Sequence, residues 1–307
     1  MQMLLTLPSS LGYGYIKTDE IDIGLESGRG DYLFVSHAHT DHVKPLKKRK
    51  LLASEFTANL VYKNSPEYHK SVKYYDAGHI IGSVQIQIET PEGRVGYTGD
   101  LKPKTRGKIK GAQTMGCEYL IIESTYARSI HPSYEKVVED FGNYLKRKNG
   151  TKLIGAYKIG KAQEVNMILN EEGITPIVSP SIAKINEIYP EKLDYVVAGT
   201  QESQEMVKKE YVAILPPSKI TRELANELST AFNEKVYTIG MTAQPWAIAK
   251  YDKTFAISDH ADQQELVDYV ETVNPKMVLT THGDDLFLAN LLRKRGFNAI
   301  PYSKLKR

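Results

Sequence analysis

The sequence predicts an α/β protein in two parts, and two observations carry that reading. First, strand-like apolar runs repeatedly end near a histidine or a carboxylate: Tyr32 to Val35 before His37, Val72 to Tyr75 before His79, and Arg94 to Thr98 before Asp100. Tyr119 to Ile122 likewise precedes Glu123, Thr254 to Ile257 precedes His260, and Met277 to Thr281 precedes His282. The carboxyl ends of strands are where α/β folds put their sites. Second, helical and strand patterns alternate from about residue 127 to 250, which implies a parallel sheet covered by helices. The length of 307 residues and the 41% hydrophobic content allow one large domain or two modest ones.

In chain order, residues 1 to 31 read as short β segments with turns at Gly12, Gly14, Gly24, Gly28 and Gly30. The run Tyr32-Leu33-Phe34-Val35 then enters Ser36-His37-Ala38-His39-Thr40-Asp41-His42. If the backbone stays extended, His37, His39 and Asp41 project to one face, and a turn at Thr40-Asp41 brings His42 round. Four ligand-type side chains in six residues predict a metal site, and mixed nitrogen and oxygen donors suit zinc best, with iron or manganese as weaker candidates. Cys117 is the only cysteine, so an internal disulfide and thiolate zinc sites are excluded, and it reads as a small buried apolar residue.

A short helix is predicted over Phe56 to Tyr62 and a strand over Val72 to Tyr75, leading to His79 between Gly78 and Gly82. Those glycines let the backbone bend sharply and deliver an imidazole to a crowded centre. His69 and His131 lack such surroundings and read as surface residues. Val84 to Glu89 alternates as a half-buried strand, Pro91-Glu92-Gly93 turns, and Arg94 to Thr98 is a strand ending at Gly99-Asp100. Beyond Glu123, the pattern gives a helix over 133–148, a strand over 152–157, and a helix opening at Lys158 to Glu164. Strands near 175–178, 195–198, 212–215 and 236–239 follow, with helices over Ser181 to Ile188 and Thr221 to Phe232, and the chain closes with a helix around Phe287 to Arg295 and a last strand.

Net charge is only +3, from 40 basic and 37 acidic residues, and by itself does not indicate nucleic acid. Two basic clusters do more: Lys102, Lys104, Arg106, Lys108 and Lys110 follow Asp100, and Lys44, Lys47, Lys48, Arg49 and Lys50 follow the histidine run. Each is either a solvated face or, given its place beside a predicted ligand, a contact for whatever the metals bind. No run approaches the roughly 20 apolar residues of a membrane span, and Met3-Leu4-Leu5 is too short for a signal peptide, so the expected address is the cytoplasm with no membrane partner.

His37-Ala38-His39-Thr40-Asp41-His42 resembles the HxHxDH signature of the metallo-β-lactamase superfamily, and Tyr97 to Lys102 resembles its nuclease branch. Glu123-Ser124-Thr125-Tyr126, His260 and His282 resemble the three extra motifs of the β-CASP nucleases, which include the pre-mRNA 3′-end processing endonuclease, ribonuclease J and DNA repair nucleases. Tyr157 to Glu164 resembles that family's Gly-Arg-Ala-Gln-Glu stretch, with Lys161 replacing arginine; a plain strand-to-helix turn explains it equally. The resemblance covers essentially the whole chain. It departs in a short insert and in having only a helix and a strand after His282.

The resemblance implies an αββα metallo-β-lactamase sandwich built from 1–126 and 251–307, with a parallel α/β β-CASP domain inserted at 127–250. It implies two zinc ions, one held by His37, His39 and His79 and the other by Asp41, His42 and His282, with Asp100 bridging. Asp22 would support the ligands from behind or be an ordinary turn aspartate. The implied activity is hydrolysis of RNA phosphodiesters, endo or exo, in RNA processing or decay: a hydroxide generated between the metals attacks, with Asp41 a ligand in that catalytic centre and His260, oriented by Glu123, the general acid. Lys102, Lys104 and Arg106 would hold phosphates of single-stranded RNA, with Ser124, Gly160 and Lys161 as further substrate contacts. DNA is the alternative polymer, because some prokaryotic DNA-directed relatives also keep the histidine at the position of His282. A small thioester or lactone substrate would explain the seven ligands but leave the insert, Glu123, His260 and the basic loop unused. A catalytically dead scaffold would be expected to have lost ligands.

Overall fold

The computed structural model describes residues 9, 11–12, 14–243 and 251–305. The chain divides into two compact units, 1–130 with 260–307, and 131–259. The first unit opens with β1 (Leu11–Gly12), β2 (Tyr15–Lys17), β3 (Asp22–Leu25), β4 (Tyr32–Phe34) and β5 (Lys50–Leu52), which form one sheet in that order. Helix α1 (Glu55–Tyr62) comes after them, its first turn capped by the Ser54 side chain, which accepts from the Thr57 N–H. Next come β6 (Val72–Asp76), β7 (Val84–Thr90), β8 (Gly93–Tyr97) and β9 (Tyr119–Glu123).

The second unit contains α2 (Tyr134–Arg147), β10 (Thr151–Gly155), α3 (Lys161–Glu171), β11 (Ile177–Val178), α4 (Pro180–Asn186), β12 (Val196–Val197), α5 (Gln201–Met206), β13 (Val212–Leu215), α6 (Arg222–Phe232), β14 (Val236–Met241) and β15 (Lys253–Phe255). Its six strands pair in parallel in the order β12-β11-β13-β10-β14-β15. Strand alternation covers both faces: Ile154 packs with Val137, Phe141 and Ile168, while the adjacent Leu153 packs with Leu224 and Leu228. Because β15 pairs with β14, residues 253–255 belong to this inserted sheet, and the unit ends at Asp259 rather than at residue 250.

The chain re-enters the first unit with α7 (Gln263–Val273), β16 (Met277–Thr281), α8 (Asp285–Lys294) and β17 (Ala299–Pro301). The second sheet of this unit runs β17-β16-β9-β8-β7-β6, parallel as far as β8 and antiparallel beyond. Ile16, Ile23, Phe34, Ile86, Val95, Ile121 and Leu279 join the two sheets face to face. Leu33, Val35 and Leu51 turn the other way onto Ala58 of α1, and Leu120, Ile122 and Val278 turn onto Leu266 and Val270 of α7 and Leu288 and Leu292 of α8. The result is four layers, αββα. Cys117 is buried in the α7/α8 layer, and burial pushes its thiol up to about 12. Among the described residues no helix is long and apolar enough to cross a membrane.

Candidate metal centre

The histidine run does not continue a strand. The Val35 N–H bonds Leu52 O beside the first sheet, but the Ser36 carbonyl accepts from Val84 N–H beside the second, at 2.9 Å, so the chain crosses between sheets at Ser36. Beyond Ser36 the backbone folds into a compact turn in which the His42 N–H donates to His39 O at 3.1 Å. Period-2 alternation therefore does not bring His37 and His39 together; folding of the turn does, and it leaves Asp41 beside His42.

Four residues converge on one point. His37 Nε2 and His79 Nε2 lie 3.0 and 3.1 Å from His39 Nδ1, and 3.4 and 3.6 Å from Asp100 Oδ2. One ligand atom from each of His37, His39, His79 and Asp100 falls within 4.8 Å of all the others. Gly78 (φ +68°) makes the approach of His79 possible: a Cβ there would sit 2.2 Å from Lys102 O. Asp100 Oδ2 also lies 3.3 Å from His42 Nε2, which is 3.6 Å from Asp41 Oδ2, and the His282 ring centroid is 5.6 Å from that of His42. The first group is closed and buried apart from half-buried His39. The second is open on one side, with the Asp41 side chain 80% exposed and His282 exposed and held at φ +57°.

The chemistry of this donor set fits divalent cations. Burial, together with the neighbouring His79, His42 and His39 imidazoles, pushes His37 well below 6.5, against the opposing pull of Asp100. Its Nδ1 meets Ser36 Oγ at 2.8 Å, so Nε2 is presented to the cluster. Burial works against the charge on Asp100 as well, yet His260, His42, His37 and His79 hold its carboxyl well below 3.8. Burial would also discharge His42, but the Glu26 and Asp100 carboxylates outweigh it and push the imidazole up to about 11. To hold a cation, His42 would have to offer Nε2 as a neutral imidazole, with Nδ1 kept by Glu26.

Glu26, and not Asp22, stands behind the donor cluster. Asp22 faces Lys17 at 3.5 Å on the rim of β3. Glu26 Oε2 bonds His42 Nδ1 at 2.7 Å and accepts from Tyr97 OH at 2.7 Å, while Oε1 accepts from the Ser36 N–H and hydroxyl. Burial opposes its charge, but His42, His37 and Ser36 hold Glu26 at about 2. The carboxylate comes directly after β3, the same strand-end signal that marks the other site residues, but the surrounding glycines make that stretch read as turn. Glu26→Gln is expected to weaken metal binding by about 10- to 100-fold, and Asp22→Asn to leave it unchanged. Titration against a competing chelator measures both; equal affinities in wild type and Glu26→Gln would refute this assignment.

His260 lies at the rim of the cluster. Its Nδ1 is 3.0 Å from Glu123 Oε2, its Nε2 is 3.8 Å from Asp100 Oδ2, and its ring centroid is 4.5 Å from that of His79. Glu123 is fully buried and is fixed by the Leu101 N–H, which donates to Oε1 at 2.5 Å.

The residues expected to grip substrate behave otherwise. Arg106 is buried and donates to the carbonyls of Gly78 and His79 at 3.0 and 2.8 Å, bracing the turn that carries His79. Lys102 is buried against Glu265 at 2.7 Å and donates to His260 O at 3.1 Å. Of the three, Lys104 alone is exposed. Ser124 is buried, its hydroxyl placed 2.7 Å from Thr281 O and 2.5 Å from His282 O. In the second unit Lys161 is buried against Glu164 at 2.6 Å, and the Gly160 N–H is taken by the Gln163 side chain at 2.8 Å, so neither is presented to a phosphate. His69 and His131 are half-buried rather than on the surface; the His69 ring packs edge-on against Tyr32.

Comparison with known proteins agrees with this architecture. Residues 252–301 match the family described as the Zn-dependent metallo-hydrolase RNA specificity domain. A protein of Opitutus terrae named probable DNA ligase is 30% identical over 288 residues, covering 87% of this chain and 28% of that protein. One of Methanocaldococcus jannaschii named probable RNase MJ4 is 27% identical over 296 residues, covering 77% of this chain and 68% of that one. The chain thus spans between about a quarter and two thirds of these relatives' lengths. A crystal structure of an Enterococcus faecalis protein of unknown function superimposes with a TM-score of 0.59 at 16% identity, covering 88% of this chain and 78% of that one. The fold and the histidine-rich cluster define a metallo-β-lactamase-fold protein. Within that fold, the match over residues 252–301 and the relative named probable RNase MJ4 support the β-CASP family.

Proposed function

We propose that this protein is a metal-dependent nuclease that hydrolyses phosphodiester bonds of single-stranded RNA. The observation that carries the reading is the His260–Glu123 pair at the rim of the donor cluster: a phosphodiester needs both a nucleophile and a protonated leaving group, whereas a thioester, which expels a thiolate, does not need this second device. Two zinc ions, held by His37, His39 and His79 and by Asp41, His42 and His282 with Asp100 between, would supply the activated water and stabilise the developing charge. Glu123 holds Nδ1 of His260, which leaves Nε2 to face the scissile bond and donate the proton. Arg106 and Lys102 keep the His79 and His260 backbones in place. A family described by its RNA specificity and a relative named as an RNase support RNA. DNA is the second reading, favoured by the relative named as a DNA ligase.

End-labelled single-stranded RNA and DNA of one sequence, incubated with the protein with and without chelator, test this. Faster, chelator-sensitive cleavage of RNA is expected, and the product ladder reads endo or exo action and polarity. Preferential loss of DNA would select the second reading; no cleavage of either with metal restored would overturn both.

A further inference from the structure

The inserted unit carries a groove of about 690 Å³ that the metal-centre chemistry does not use. One wall is a single face of α2, because Lys136, Asp140, Tyr144 and Arg147 recur at four- and three-residue spacing along about 16 Å of helix. The other wall is β15 and the residue after it, at the edge of the six-stranded sheet.

Two features decide what such a groove takes. The first is aromatic. Tyr144 is half-buried, with its ring centroid 5.7 Å from Phe255 and 6.5 Å from half-buried Tyr237, both near edge-on, so the ring is braced from two sides while part of it stays open. The second is charge. Lys136 is balanced by Asp140 at 2.9 Å, but among the described residues Arg147, Lys148 and Lys253 pair with no carboxylate. Lys148 Nζ lies 5.6 Å from the Tyr237 ring centroid and Lys253 Nζ 5.6 Å from that of Phe255. Cations interleaved with braced rings match a ligand that alternates phosphates with flat bases; an acidic peptide or a lipid headgroup would use the cations and leave the rings idle.

We infer that this groove binds a single-stranded stretch of polynucleotide, with a base stacked on Tyr144 and phosphates on Arg147, Lys148 and Lys253. The inference deepens the nuclease reading and rests on its choice of polymer, but its test does not depend on cleavage. Binding of fluorescent single-stranded RNA and DNA would be followed by anisotropy with chelator present. Tyr144→Ala is expected to weaken binding about 5- to 100-fold, with Tyr144→Phe close to wild type. Replacing Arg147, Lys148 and Lys253 together by alanine is expected to lower the salt slope by about two. In the presence of metal, both variants should hydrolyse bis(p-nitrophenyl) phosphate at the wild-type rate. Wild-type affinity and slope in both variants would overturn the inference. So would a Tyr144→Phe variant as weak as Tyr144→Ala, or polyglutamate competing as well as oligonucleotide. If the wild type binds oligonucleotide through the groove but cleaves nothing, the nuclease reading alone falls.

Discussion

His260→Ala should retain its full complement of metal and still bind RNA, yet cleave it about 10²- to 10⁴-fold more slowly. The reason is positional: Nδ1 is committed to Glu123, and Nε2 sits 3.8 Å from Asp100, beside the closed ligand group rather than inside it. A substrate with sulfur in place of the bridging leaving oxygen scarcely needs a proton, and on it the variant should recover most of the lost rate. The geometry also allows a rival role, because Asp100, Glu123 and His260 present ligand atoms within 4.8 Å of one another. If His260 is a ligand, elemental analysis will show the variant short of metal, and the sulfur substrate will not rescue it. Either result removes the general-acid assignment.

Lys102→Met should destabilise the protein by about 3–5 kcal/mol, whereas Lys104→Met should change stability by less than about 0.5 kcal/mol. The two lysines differ in burial: the Lys102 and Glu265 side chains are 9% and 3% exposed, and the Lys104 side chain is 72% exposed. Removing the Lys102 amine leaves the buried Glu265 carboxylate with only the exposed Lys104 amine, 3.9 Å away, as a cationic partner, and the Lys102 hydrogen bond to His260 O goes with it. Adding Glu265→Gln should return much of the stability, since the amide can still accept from the Asp262 N–H at the start of α7. Denaturant midpoints of the single and double variants measure this, and a Lys102→Met midpoint equal to that of Lys104→Met would show the pair to be dispensable.

That contrast marks the limit of what the sequence makes legible. The strands are legible because apolar runs and alternation report burial directly, and the ligand-type residues are legible because each comes after such a run. Spacing cannot say which lysine of a basic cluster turns inward: Lys102, Lys104 and Arg106 look equivalent until Glu265 and two carbonyls near His79 come into place from distant sequence. Glu26 escapes notice for the same reason, since its partners Ser36, His42 and Tyr97 are brought to it only by the packing of the two sheets. Helix α7 carries a readable signal, Asp262 and Glu265 in a reciprocal cap, that is masked by the attention His260 draws. Lys161 misleads because a basic residue at a glycine-led helix start suggests an anion site, while here Glu164 within the same turn satisfies it.

The pairing of β9 with β16 has a consequence during synthesis. Strand β9, with the apolar core Leu120, Ile121 and Ile122, emerges from the ribosome early, but the strand that covers its second edge begins only at Met277. At about 5–20 residues per second, that edge waits roughly 8–30 s for its partner while the inserted unit is made. A bare β-rich edge of this kind recruits foreign strands. Slowing translation between residues 124 and 276 should therefore raise the insoluble fraction of the nascent protein, and a charge placed among Tyr119 to Ile122 to protect the edge is not open to a chain that buries all four in its core.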